Sequence, residues 1–462
     1  MWKFSIDTGG TFTDCIAEDP EGRLLTLKVL SSGILPGRVV SGWGSAVLII
    51  DAKWHLENPV LNGFRISFHG EKGLEYARVL QYFPEARQMI LDRKIADPGI
   101  DYFSLESGEE APVLCIRLLT GTPLGSPFPA LDFRIGTTRG TNALLERKGA
   151  RFVMLVTRGF EDLMVIDDQT RPDIFARKVE KPRPLYSEIL EVPERIDSSG
   201  RVLESPDSEA LDELVSRTVA TGLKSAGVCL LNAWKNPDHE VRLGAMLRGG
   251  GLSTVTISTE LDARIKYLER ARTTAVNSYL QPVMDSFLER ISTQAGNLSF
   301  RVMTSSGGLK PDSGFQARDS LLSGPAGGVV GVAETAKASG LQRVISFDMG
   351  GTSTDVSRYD NGYDYSFELQ IAGLRIATPA VAIETVAAGG GSICSFDGFT
   401  EYISPQFTID FGYDSTDIPT IDAWFKHVYP DEEKRIQAIS TWDIDHAQIG
   451  DEVIKREFTL AC

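Results

Sequence analysis

The chain has 462 residues, 42% of them hydrophobic and 24% charged, and its 63 acidic side chains outnumber 47 basic ones for a net charge of −16. Such a length and composition predict a soluble protein of several domains with ample core. The acid excess argues against nucleic acid or an anionic membrane surface as a general partner, since both are approached through basic patches. No apolar run reaches the roughly 18 residues of a membrane helix. Met1–Asp7 contains no apolar secretory core, so a cytoplasmic location is expected. Five Cys and five His are scattered, with no C-x-x-C pair and no metal-ligand spacing. P-loop, dinucleotide and nucleophile-elbow motifs are absent as well.

In chain order, Phe4-Ser5-Ile6 reads as a buried strand leading into Asp7-Thr8-Gly9-Gly10-Thr11-Phe12-Thr13-Asp14. A second strand then runs to a turn at Glu18-Asp19-Pro20-Glu21-Gly22. Residues 31–129 read as an added subdomain with helices at Leu74–Phe83 and Glu85–Lys94. Gly136–Asn142 is dense in Gly and Thr and precedes a helix expected at Ala143–Lys148. Thr137, Thr138 and Asn142 suit a helix N-cap, or a helix start facing a bound anion. Arg139 and Arg171 are either carboxylate clamps or ordinary surface arginines.

The opening motif returns as Asp348-Met349-Gly350-Gly351-Thr352-Ser353-Thr354-Asp355, identical at six of eight positions after 341 residues. It follows the apolar run Val344–Phe347 and leads towards Asp360-Asn361-Gly362, a hairpin-turn signal. Two equivalent β-hairpins, each turning on D-x-G-G-T-x-T-D, are therefore predicted. Paired glycines permit a tight turn with main-chain N–H groups aimed into one concavity. Threonine hydroxyls add donors, and a strand-end aspartate can hold Mg²⁺, which bridges to phosphate oxygens. In a chain this acidic, a phosphate site has to rest on local N–H groups and a divalent cation. Thr385–Ile393 adds three consecutive glycines, Gly389, Gly390 and Gly391, then Ser392, which would let a flat ring lie against bare backbone. A flexible loop is the alternative there.

Two such hairpins followed by a glycine-rich segment resemble the actin/Hsp70/sugar-kinase ATPase superfamily, and the wording resembles the A half of the 5-oxoprolinase and hydantoinase A family. Further matching segments are Gly136–Gly149, Val156–Phe160, Arg171–Phe175, Asn236–Glu240, Thr273–Asn277, Ser305–Gly308 and Ser323–Gly328. The resemblance covers roughly residues 1–30 and 130–398 and is most specific from Ser346 to Gly398. It implies an α/β fold of two ribonuclease H-like lobes, with ATP in the cleft between them and an inserted subdomain. The implied lobes are 1–200, with the insertion at 31–129, and 201–398, followed by a divergent acidic tail at 399–462 holding 13 acids and 5 bases.

The implied activity is ATP-dependent opening of a cyclic amide, 5-oxoproline above all, where phosphorylation of the lactam oxygen makes an unreactive carbonyl open to water. ATP and Mg²⁺ are the implied cofactors, with K⁺ as a further candidate. By resemblance Asp7 and Asp348 are the catalytic and metal-holding residues. Thr8, Gly9, Gly10, Thr11, Thr13, Gly350, Gly351, Thr352 and Thr354 bind phosphate. Gly389, Gly390, Gly391 and Ser392 bind adenosine, while Thr137, Thr138, Arg139, Asn142 and Arg171 are substrate candidates. Asp14 and Asp355 are expected to brace the hairpins. The family's B half is expected as a partner subunit, in an oligomer. A nucleotide-binding product without complete catalysis and an ATP-dependent ketone carboxylase subunit are the alternatives.

Overall fold

The structure, a computed structural model, describes the chain except for residues 53, 55, 57, 71–72, 97–101, 170–174, 176, 178–182, 350–353, 387–394, 397–399, 403–419, 421–422, 424, 427–431, 433–434 and 436–462. The fold is mixed α/β. Trp2–Thr8 (β1), Phe12–Glu18 (β2) and Leu24–Leu30 (β3) form an antiparallel meander. Its alternate residues Phe4, Ile6, Cys15 and Ala17 are buried, as period-two patterning requires. Asp19 fixes the β2–β3 turn by accepting the N–H groups of Glu21 and Arg23.

The inserted segment departs from expectation. Ile34–Ser41 (β4), Val47–Asp51 (β5), Arg65–Gly70 (β6), Gly73–Phe83 (β7), Gln88–Leu91 (β8) and Tyr102–Glu106 (β9) close into a barrel in the order β4-β5-β8-β7-β6-β9. The helix expected at Leu74–Phe83 is thus strand β7, and Glu85–Lys94 holds a turn and β8. A register shift between Val79 and Gln81 buries Ala77, Val79 and Tyr82, so the inward set does not alternate strictly and imitates a helical spacing. Leu48, Ile66, Phe68, Met89, Phe103 and Leu105 fill the interior. Gly37 lies directly against the Phe103 ring, where no β-carbon would fit.

Ala111–Thr120 (α1) then returns the chain to Leu131–Thr137 (β10), which pairs parallel with β1. The next helix is Arg139–Leu145 (α2), starting four residues before the expected Ala143. Phe152–Thr157 (β11), Leu163–Ile166 (α3) and Glu188–Val192 (β12) follow. Arg195–Ile196 (β13) and Val202–Glu204 (β14) pair as a small hairpin, and residue 200, where a boundary is expected, lies in its turn. Ser208–Ala220 (α4), Ser225–Cys229 (β15), Asp238–Gly249 (α5), Thr254–Ile257 (β16) and Ser258–Leu261 (α6) complete a second sheet, all parallel, in the order β12-β11-β15-β16.

Tyr267–Gln294 (α7) runs through this core with Ala271, Ala275, Val276, Leu280 and Phe287 buried. Arg301–Met303 (β17) and Leu309–Pro311 (β18) rejoin the first sheet, whose order becomes β18-β17-β10-β1-β2-β3 with β17 parallel to β10. Ser323–Ala338 (α8) packs beside β10 and β17.

Beyond α8 come Arg343–Met349 (β19), Thr354–Asp360 (β20) and the short strands Tyr365–Ser366 (β21), Leu369–Ile371 (β22), Leu374–Ile376 (β23) and Ala380–Val381 (β24). Glu384–Val386 (β25) pairs with β20, giving the sheet β19-β20-β25. Asn361 takes the left-handed φ of +53° in the turn after β20, as Asn-Gly predicts. Two compact units result, 1–344 with 358–382 and 345–357 with 383–462. Most of the tail helices expected at Ile421–Val428 and Asp431–Ile439 lie outside the described residues. Among the described residues no helix is long and apolar enough to cross a membrane.

Candidate functional site

Strands β1, β10 and β17 are parallel neighbours, so their carboxyl ends share one edge of the first sheet. In open α/β sheets that edge is where ligands bind. It carries Thr8–Thr11 after β1, Thr137–Arg139 after β10 and Thr304–Gly308 after β17.

The β1–β2 turn is tight. The Gly9 N–H donates to the Phe12 carbonyl at 3.0 Å, and Ser31 straps the turn from β3's end, its N–H to Thr11 O at 2.7 Å and its Oγ to Gly9 O at 2.9 Å. Thr13 is fully buried with its hydroxyl 3.0 Å from Ser31 Oγ, so it braces the turn from behind rather than facing a ligand. The Gly9 N–H is likewise spent on closing the turn, whereas none of the turn's hydrogen bonds uses the Gly10 or Thr11 N–H. A β-carbon at Gly10 would stand 3.0 Å from Asn142 Nδ2, a close contact that the Asn142 amide would relieve by a shift of a few tenths of an ångström.

Thr8 is 95% buried, its carbonyl accepts the Thr138 N–H at 3.0 Å, and its Oγ1 is buried with no hydrogen-bond partner among the described residues. A buried hydroxyl left unpaired costs about 1–3 kcal/mol; this one lies at the base of the glycine turn. Asp7 is exposed, beside Gly136 on β10, where a β-carbon would come within 2.9 Å of Asp7 Oδ1. Asp14 faces Asp7 across the ladder and is held by Lys28 Nζ at 2.9 Å, which offsets the cost of opposed carboxylates.

The N-terminus of α8 completes this edge. Ser323 Oγ donates to Thr137 O at 3.0 Å, Leu322 N–H to Thr141 Oγ1 at 3.1 Å, and Gly324 lies against the Thr138 methyl. Among the described residues no side chain caps α8, so its first-turn N–H groups and positive dipole end stand at the carboxyl end of β10. Thr137 Oγ1 accepts the Arg139 N–H at 3.1 Å, and Asn142 Nδ2 donates to Thr138 Oγ1 at 3.2 Å. The N-cap of α2 is Thr138, without a side-chain capping bond, and Thr137 one residue earlier accepts the first helical N–H, while Thr138 and Asn142 sit at the glycine turn itself. Arg139 is committed elsewhere: it stacks on Phe287 at 4.4 Å and faces Glu110 at 3.6 Å, with burial pulling its pKa down.

In the second unit Asp348 lies exposed near the end of β19, and Thr354 is buried at the start of β20. Thr385 Oγ1 donates to Asp355 Oδ1 at 2.7 Å across the β20–β25 ladder, a brace like that of Asp14. Gly350, Gly351, Thr352, Gly389, Gly390, Gly391, Ser392 and Arg171 lie outside the described residues. Among the described residues no group of three or more metal-ligating side chains occurs.

Family models were matched by two stretches: residues 119–250 by the Hydantoinase/oxoprolinase N-terminal region and residues 270–408 by Hydantoinase/oxoprolinase, together more than half of the chain. The chain belongs to the hydantoinase/oxoprolinase family. The 5-oxoprolinase of Saccharomyces cerevisiae is 39% identical over 437 residues, covering 87% of this chain and 29% of the relative. 5-oxoprolinase 1 of Arabidopsis thaliana is 38% identical over 321 residues, 62% of this chain and 25% of the relative. The chain thus spans under a third of the length of these relatives. Acetone carboxylase in its nucleotide-free structure shares the fold, with a TM-score of 0.60 at 19% identity over 97% of this chain and 62% of that one.

The hydantoinase/oxoprolinase matches take in β10, all but the first turn of α7, β17 and α8, and leave the barrel at 34–106 outside. Two residues of the edge were not singled out as site residues by the sequence, although Ser323 opens one of the matching segments. Ser31 carried no local signal, because it acts across the sheet. Ser323 was legible in principle, since Ser-Gly-Pro ahead of a small-residue run marks a helix start.

Proposed function

We propose that the chain is the A-type, nucleotide-binding part of an ATP-dependent hydrolase of cyclic amides, converting 5-oxoproline, ATP and water to glutamate, ADP and phosphate with a B-type partner. The observation that carries this reading is the edge at the β1–β2 turn: among the described residues, the Gly10 and Thr11 N–H groups are unused by the turn, the buried Thr8 hydroxyl has no partner, and the start of α8 at the end of β10 carries no side-chain cap. Those donors fit a phosphate chain. Strand order β3-β2-β1-β10-β17, three antiparallel then two parallel to the first, supports a ribonuclease H-like lobe here, and the repeated motif supports a second lobe around β19 and β20.

Mg-ATP would supply the phosphoryl group that turns an inert amide oxygen into a leaving group. Gly10 and Thr11 N–H groups and Thr8 Oγ1 would bind its phosphates in one half, and Gly350, Gly351 and Thr352 in the other. Asp7 and Asp348 would hold Mg²⁺ directly or through water, Lys28 keeping Asp14 from competing. Gly389–Gly391 and Ser392 would take adenosine. Such catalysis is positioning and electrostatics more than covalent chemistry. K⁺ dependence, assembly into an oligomer and a cytoplasmic setting belong to the same proposal.

The test is ATP hydrolysis by the chain mixed with a B-type subunit. Hydrolysis that depends on 5-oxoproline and disappears in Asp348→Ala is expected. Bicarbonate-dependent ATP use with a ketone would instead establish a carboxylase. Mg-ATP binding with no turnover beside any B-type partner would reduce the role to nucleotide binding.

A further inference from the structure

A groove of about 570 Å³ lies on the barrel, lined among others by Arg65, Tyr76, Arg78, Asp92, Arg93 and Glu106. Its size falls in the range of small-molecule sites. Three guanidinium groups around one groove stand out in a chain of net charge −16.

Their arrangement is specific. Arg65 and Arg78 are direct partners in the β6–β7 ladder, an opposition of like charges that costs stability unless something offsets it. Arg65 is fixed: it is ion-paired with Glu106, its partner on β9, and its guanidinium lies over the Tyr76 ring at 5.3 Å. One carboxylate cannot occupy all five donors of an arginine, so Arg65 keeps N–H groups to offer. Arg93 reaches Asp92 at 3.3 Å. Asp92 Oδ1 also accepts the Arg78 N–H at 3.0 Å, and the Asp92 N–H donates to Arg78 O at 2.9 Å, which locks the backbone under Arg78. The exposed Arg78 guanidinium itself has no hydrogen bond or ion pair among the described residues. Two carboxylates face three guanidinium groups, which leaves one positive charge in excess; Arg78 feels Asp92 only at longer range and is the one without a direct ion pair among the described residues.

We propose that this groove binds a small doubly charged oxyanion, a phosphate group or a compact dicarboxylate, with Arg78 as its principal donor and Arg65 as a pre-positioned second one. Arginine forks suit such planar, two-oxygen ligands. The site is separate from the glycine turn and lies outside the stretches matched by the family models.

Calorimetric titration of the full chain at low salt with inorganic phosphate, and separately with succinate, tests this and tells the two sources apart. Saturable binding of at least one of them is expected, weakened tenfold or more in Arg78→Ala, weakened less in Arg78→Lys, and unchanged in Asp7→Ala. Absence of binding by both anions overturns the proposal. So does binding that survives Arg78→Ala, or that is lost in Asp7→Ala while Arg78→Ala retains it. Circular dichroism of each variant confirms that a lost signal reflects the groove and not the fold.

Discussion

Two sheets of the first unit end in parallel strands, and their carboxyl edges are finished in opposite ways. At the edge of β1, β10 and β17, Thr8 Oγ1 has no partner among the described residues and the Gly10 and Thr11 N–H groups go unused by the turn. At the edge of β12, β11, β15 and β16, the buried hydroxyls and carboxylates are taken. Thr157 Oγ1 donates to Glu194 and accepts the Leu231 N–H at 2.8 Å; His239 Nδ1 meets Glu194 Oε2 at 2.8 Å. Glu240 accepts from Leu230 N, Ser258 Oγ, Thr259 N and Thr259 Oγ1, and Arg270 closes the set on Ser258 Oγ at 2.9 Å. Burial pushes the Glu240 carboxyl up, while Ser258 and the Leu230 N–H pull it back. The hydroxyls and carboxylates just named are committed to one another and read as scaffold, although Trp234 Nε1 beyond β15 is buried without a partner among the described residues; the open edge keeps donors in reserve, at a cost in stability that a bound anion would return.

Mutations can break or sharpen this contrast. The largest effect belongs to the closed edge: Glu240→Ala strands several buried donors and the fully buried Arg270, and should cost about 3–5 kcal/mol in denaturant unfolding. Nucleotide affinity of the folded fraction should stay unchanged. At the open edge Gly10→Val should do the reverse, weakening Mg-ATP about 100-fold, ~2.7 kcal/mol, in a fluorescence titration, with little change in the unfolding midpoint. Thr8→Val is a finer probe. Replacing an unpartnered buried hydroxyl by a methyl should leave the free protein as stable or up to ~1 kcal/mol more so, yet lower Mg-ATP affinity about tenfold, ~1.4 kcal/mol; a loss of stability would mean that the hydroxyl has a partner after all.

The smallest effect concerns Asp197, in the β13–β14 turn beside the closed edge. Its carboxylate accepts Ser199 Oγ and the N–H groups of Ser199 and Arg201, which lower its pKa to about 2. A depressed carboxylate stabilises the fold above its unfolded pKa, and that contribution is lost as pH falls towards about 2. The gap in unfolding midpoint between wild type and Asp197→Ala should therefore be full at pH 5 and close below pH 3. A gap independent of pH would assign the effect to turn geometry instead.

The glycine turn was legible in the sequence because its chemistry is local: adjacent residues make the hairpin, and the duplicate at Asp348 marks it as more than a turn. Asp14 and Asp355 also behave as braces, each through a partner one strand away. What escaped was long-range. Thr157, Glu194 and His239 meet across 37 and 45 residues, a pairing that five scattered histidines do not announce in the sequence. Cys15 and Cys115, read as isolated, come together between β2 and α1, where that contact and burial raise the Cys115 pKa. The barrel was misread because a bulge disguised the period of β7. Arg139, too, drew attention as a polar residue beside a Gly-Thr run, while its true neighbours, Phe287 and Glu110, are distant in sequence.

The barrel opens with Ile34 and closes with Glu106, and these two residues are paired across β4 and β9. An insert whose ends emerge side by side can be added to a host like a cassette, since the host needs only the connection it would have had without it. Joining residue 33 to residue 107 through a few flexible residues should thus leave β1 to β3, α1 and β10 in register, with the glycine turn intact. The same geometry allows the barrel's face to change its ligand without disturbing the chemistry of its host.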